Sequence, residues 1–81
     1  MRFVSQDSEE FKALIQNYED VLELAKWRLE ANVGDQNLHG YISVLLHHMG
    51  NLYDRVDEYE RAIEFFVKSL QVSWLLLFYQ H

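Results

Sequence analysis

Residues 50–70 read Gly50-Asn51-Leu52-Tyr53-Asp54-Arg55-Val56-Asp57-Glu58-Tyr59-Glu60-Arg61-Ala62-Ile63-Glu64-Phe65-Phe66-Val67-Lys68-Ser69-Leu70, and this stretch decides the fold. Asp57 and Glu60 have capping-box spacing, in which each side chain satisfies a free backbone N–H at the start of a helix. A helix is therefore expected to begin at about residue 57, after a tight Arg55-Val56 turn. Gly50 and Ala62 lack bulk, so the helices on either side of that turn can approach closely there, and the two residues are expected to face each other. Tyr53, Tyr59, Phe66 and Leu70 supply apolar mass around the contact. The expected core stripe of this last helix runs through Tyr59, Ile63, Phe66, Leu70, Trp74 and Leu77.

Working outward, Leu38, Tyr41, Ile42, Leu45, Leu46, Met49, Leu52 and Tyr53 form one broad apolar face, predicting a helix over about 38–54 capped by Asp35 or Asn37. Upstream, Phe11, Ile15, Tyr18, Leu22, Ala25 and Leu29 recur at spacings of four and three, and Leu14 and Val21 widen the band. Asp7 with Glu10 offers a second capping box, and Asn32 or Gly34 can take the left-handed conformation that ends a helix. One continuous first helix over about 8–32 is preferred to a break near Gln16-Asn17, because a helix of eight residues is marginal alone. The reading is a single all-α domain over 1–81, with three helices at about 8–32, 38–54 and 57–80 joined by short connections.

Composition agrees. The chain has 81 residues, no proline and three glycines, too few turn residues for a β-rich fold of this length. At 49% hydrophobic and 15% aromatic it is too apolar for a disordered segment. No cysteine is present, so disulfides and thiolate metal sites are excluded. The redox compartment is left open by this, but a secreted domain this small without disulfides would be unusual, and a cytoplasmic setting is expected. Met1–Ser8 holds one arginine and no apolar run, unlike a signal peptide. The net charge is −6, with basic residues scattered among acids, whereas phosphate backbones require a clustered positive face. Neither nucleic acid nor an anionic membrane surface is an expected partner.

The set Gly50, Tyr53, Tyr59, Ala62, Phe66 and Leu70 resembles the tetratricopeptide repeat, a helix–turn–helix unit that stacks and holds other proteins. An internal repeat supports stacking: a shift of 41 superposes Tyr18 on Tyr59, Val21 on Ala62, Ala25 on Phe66 and Leu29 on Leu70. That exceeds the ~34 residues of the standard unit. It is similar to the longer variety in G-protein-signalling modulators and rapsyn-like scaffolds, where a Gly-Asp such as Gly34-Asp35 sits between repeats. The resemblance covers about residues 18–73 and implies about one and a half repeats. Ser69 departs from the family's usual alanine, and Trp74 stands near its usual terminating proline.

What the resemblance implies about function is a protein-interaction module, scaffold or adaptor, that holds a peptide or partner helix in a groove. The groove residues would be Val44, His47, Asn51, Asp54 and Arg55, although the same five also suit a solvated face. Asn51 stands where one family branch holds a ligand's C-terminal carboxylate, but that branch has a lysine where this chain has His47.

Other chemistry finds little footing. His47 and His48 diverge by about 100° on a helix, and neither has a histidine or acid four residues away. Asp35 and His39 share that spacing, but two ligands do not make a site, so His39, His47, His48 and His81 read as surface or boundary residues. No glycine-rich phosphate loop or nucleophile turn is visible, so no enzymatic activity, cofactor or metal is expected.

The tail is apolar around the whole helix, and a surface helix cannot be. Trp74, Leu75, Leu76, Phe78 and Tyr79 are expected to bury against a second copy, or against a neighbouring repeat in a longer array. The rival reading is a small membrane-associated helical protein anchored by residues 63–80. Against it, a bilayer span needs about 20 predominantly apolar residues, and Glu64, Lys68 and Gln71 interrupt this stretch.

Overall fold

The computed structural model describes residues 8–79, with side chains described through residue 75. It contains three helices, α1 (Glu9–Ala31), α2 (Gln36–Arg55) and α3 (Tyr59–Tyr79), and no strand among the described residues. The all-α hairpin architecture is as expected, with α2 packed against both α1 and α3. The assembly is elongated, 45 × 20 × 16 Å, as stacked helices of 20–23 residues must be.

The first helix is unbroken through Gln16-Asn17, and Gln16 Nε2 donates to Asp20 Oδ1 at 2.9 Å along it. Its cap differs from expectation. Ser8 is the N-cap, its hydroxyl accepting from the Phe11 N–H at 3.0 Å, while Asp7 lies outside the described residues. Ser, like Asp, places an acceptor within reach of the free N–H groups, so the nearer residue can serve. The α1–α2 turn also departs from expectation. Asn32 sits at φ −146°, and no glycine takes positive φ among the described residues. The turn is closed instead by the Asp35 N–H donating to the Asn32 carbonyl at 3.1 Å and by His39 Nε2, which bonds the Val33 carbonyl at 3.0 Å. His39 is thus buried rather than at the surface. Asp35 caps α2 as expected, accepting from the N–H groups of Asn37 and Leu38.

The α2–α3 turn corrects a second capping box. Asp57 is not the cap of α3; it sits at φ 64°, the left-handed conformation. The Glu58 N–H donates to the Tyr53 carbonyl at 2.9 Å and the Asp57 N–H to the Asp54 carbonyl at 3.1 Å. Those two bonds define a Schellman ending for α2, with aspartate where glycine is usual. Its side chain is turned to Tyr59, whose hydroxyl donates to Asp57 Oδ1 at 2.9 Å.

The core lies along α2. Leu22 and Ala25 of α1 meet Ile42, Leu45, Leu46 and Met49, with Phe65 and Val72 of α3 packed against them. Nearer the α2–α3 turn, Phe11 and Ile15 cluster with Tyr53, Val56 and Ala62. Tyr53 ties the three helices together: its ring meets Phe11 edge-on at 5.6 Å and stacks on Phe65 at 5.4 Å. The Arg61 guanidinium lies 5.4 Å from the Tyr53 ring centre.

Two expectations about faces are overturned. On α1 the main stripe is buried or half-buried, but Leu14 and Val21 are exposed, as is Tyr41 on α2. On α3 the inward face is Ala62, Phe65, Phe66, Ser69 and Ser73, while Tyr59, Ile63, Leu70 and Trp74 face outward. Small side chains let the α2 and α3 backbones close together, and they direct the larger stripe away. Ala62 is buried in the cluster near the turn. A Cβ on Gly50 would lie 2.6 Å from the Phe66 ring, so the close approach is between Gly50 and Phe66. Burial does not follow the 41-residue shift either: Tyr18 and Leu29 are half-buried, whereas Tyr59 and Leu70 are exposed.

A second close approach is polar. Ser43 Oγ donates to the Ser69 carbonyl at 3.1 Å, and Ser69 Oγ donates to the Ser43 carbonyl at 3.0 Å. Ser73 Oγ lies 3.0 Å from Ser43 Oγ, so three hydroxyls clasp α2 to α3.

Candidate partner-binding surface

Val44, His47, Asn51 and Asp54 fall at spacings of three and four along α2, with Arg55 next to Asp54, on the face opposite the buried Ile42, Met49 and Tyr53. Val44, His47, Asp54 and Arg55 are exposed and Asn51 is half-buried. The stripe spans three turns, about 16 Å at the helical rise. Its rigidity comes from the opposite face, where Met49 is almost wholly enclosed at 1% exposure. His47 is partly committed: its ring lies 5.3 Å from the Phe66 ring, against the α3 side of α2. His48 turns the other way and stacks at 6.1 Å on Tyr18 of α1. The two neighbouring histidines therefore diverge, as their helical offset requires. Among the described residues no group of three histidine, cysteine, aspartate or glutamate side chains could hold a metal ion.

Of the tail residues, only the side chains of Trp74 and Leu75 are described. Trp74 and Leu75 are 63% and 50% exposed, but consecutive residues point about 100° apart on a helix. The side chains of Leu76, Phe78 and Tyr79 lie outside the described residues. Among the described residues no helix is long and apolar enough to cross a membrane.

Two further features were not singled out in the sequence. An open cleft of about 260 Å³ lies between α1 and α2, lined by Val21, Leu24, Ala25, Arg28, Leu38 and Tyr41. Leu24, which lies off the α1 stripe and is exposed, is the sequence signal for that side. The second feature is the Asp57–Tyr59 pair. The hydrogen bond from the phenol to Asp57, and then the charge of that carboxylate, raise the Tyr59 pKa above its ordinary 10.0. The pair has the geometry to hold a turn.

Compared with protein-family models, curated proteins and solved structures, the chain matches none.

Proposed function

We propose that this chain is a non-catalytic protein-interaction module, a scaffold or adaptor of cytoplasmic proteins, that binds a peptide or partner helix along α2. The observation that carries the reading is the exposed mixed stripe of Val44, His47, Asn51, Asp54 and Arg55 on a helix immobilised from behind. An apolar contact, amide and imidazole hydrogen-bonding groups and a charge of each sign occur within three turns. That is the inventory needed to seat and orient a segment of protein, with the entropy of ordering already met by the helix. The resemblance of residues 18–73 to tetratricopeptide repeats points the same way, since the inner helix of such a hairpin lines the ligand groove.

The test is selection from displayed libraries of extended and helical peptides, followed by amide shift mapping of the best binder on the labelled chain. Shifts are expected to centre on His47, Asn51 and Arg55. The triple alanine variant at those positions is expected to lose binding while its circular dichroism stays unchanged. Shifts confined to another face, or undiminished binding by the triple variant, would contradict the assignment.

A further inference from the structure

We propose that a second copy of this chain covers the outer stripe of α3 in an antiparallel, two-fold arrangement. Tyr59, Ile63, Val67, Leu70 and Trp74 recur at spacings of four and three on one side of α3, and they are 56%, 60%, 45%, 63% and 63% exposed. The stripe is about 22 Å long and presents on the order of 500 Å² of apolar surface, within the size range where an exposed patch marks an interaction site. With the residues beside it, the patch approaches the roughly 800 Å² per partner of a stable interface.

What selects a second copy is the order of the side chains. From either end the stripe runs aromatic, aliphatic, valine, aliphatic, aromatic. An antiparallel two-fold contact sets a patch against its own reverse, and a stripe that reads alike both ways then meets matching groups throughout. In that register Tyr59 meets Trp74 of the second copy, Ile63 meets Leu70, and Val67 lies beside its own counterpart on the axis. Charge agrees. The flank of the stripe carries Glu60 and Glu64 toward its start and Gln71 toward its end. Antiparallel pairing thus keeps the acids of the two copies apart and places them beside an amide of the other copy. This contact uses α3 and does not depend on the α2 stripe, so the two readings can fail separately.

The chain has no cysteine, so single introduced thiols report the register directly. Sedimentation equilibrium of the full chain is expected to show monomer and dimer and nothing larger. Leu70→Glu, at a position exposed in the monomer, is expected to weaken the dimer by about tenfold or more while leaving helicity and α2 peptide binding intact. Under mild oxidation Val67→Cys is expected to form a covalent dimer. A mixture of Ile63→Cys and Leu70→Cys chains is expected to form the mixed disulfide. Ile63→Cys alone is not, because its two copies would sit about 10 Å apart along the axis, beyond disulfide reach. A full chain monomeric at all concentrations, assemblies that grow past two, or binding of monomer to lipid vesicles through this stripe would each overturn the proposal. So would Ile63→Cys cross-linking as readily as the mixture, or a Leu70→Glu dimer of unchanged affinity.

Discussion

Replacing Gly50 with alanine sets two opposing effects against each other, and the Phe66 ring decides which wins. Gly50 is buried in the interior of α2, where alanine is intrinsically better than glycine by about 0.8–1.0 kcal/mol. The added Cβ, however, would lie 2.6 and 2.7 Å from two Phe66 ring carbons, so the ring must retreat by about 1 Å to reach ordinary contact. Phe66 is itself hemmed by the His47 ring at 5.3 Å. Overpacking of this kind costs about 1–3 kcal/mol, so Gly50→Ala is expected to destabilise by about 0–2 kcal/mol. Removing the ring reverses the sign. In a Phe66→Ala background the same Gly50→Ala change is expected to stabilise by about 1 kcal/mol, the full helix-propensity gain. Urea unfolding of the four variants, followed by circular dichroism, gives the coupling as a double-mutant cycle, expected at about 1–3 kcal/mol. A coupling below about 0.5 kcal/mol, or a Gly50→Ala variant more stable than the parent, would refute the placement of Phe66 against Gly50.

The remaining expectations concern the turns and the clasp. Asp57→Gly should raise stability by roughly 0.5–1 kcal/mol in the same assay, because glycine takes φ 64° without the strain of a side chain. Tyr59 should titrate above 10.0 by its ultraviolet absorbance, and Asp57→Asn should bring it down, since the carboxylate raises it. The folded state favours the neutral phenol, so this contribution to stability is complete below pH 10 and disappears as pH rises through the elevated value. Ser69→Ala should cost about 0.5–1.5 kcal/mol by removing the hydroxyl that donates to the Ser43 carbonyl, and Ser43→Ala with Ser69→Ala should cost less than the two separate losses added together.

Helix number, order and approximate limits were legible in the sequence because α1 and α2 are ordinary amphipathic helices. Phe11, Ile15, Leu22 and Ala25 lie on one stripe, and all four are buried. The face of α3 was not legible, because that helix is apolar on two sides. Tyr59, Ile63, Leu70 and Trp74 are the larger group and read as core, yet the inward face includes Ala62, Ser69 and Ser73, whose small size is what brings α2 close. Close packing is signalled by lack of bulk, which a search for apolar mass overlooks. Asp57 and Glu60 show the same ambiguity at a turn: their spacing fits a cap, but aspartate also tolerates the left-handed position that ends the previous helix. The burial of His39 was hidden for another reason. It bonds a backbone carbonyl, Val33, and no side-chain pattern records that. Of the candidate surface, the α2 stripe follows from helical spacing alone, whereas the outward stripe of α3 became visible only once the inward face was known.

The orientation of α3 underlies both the hairpin and the surfaces derived from it, and neighbouring residues report it most directly. Thiol-labelling rates should be compared for Ser69→Cys and Leu70→Cys, each at a dilution where the chain is monomeric. Ser69 is 8% exposed and Leu70 63%, so the thiol at 70 is expected to react at the rate of a free thiol. The thiol at 69 is expected to react at least about tenfold more slowly, limited by local opening of the α2–α3 contact. Equal rates, or faster reaction at 69, would contradict the account.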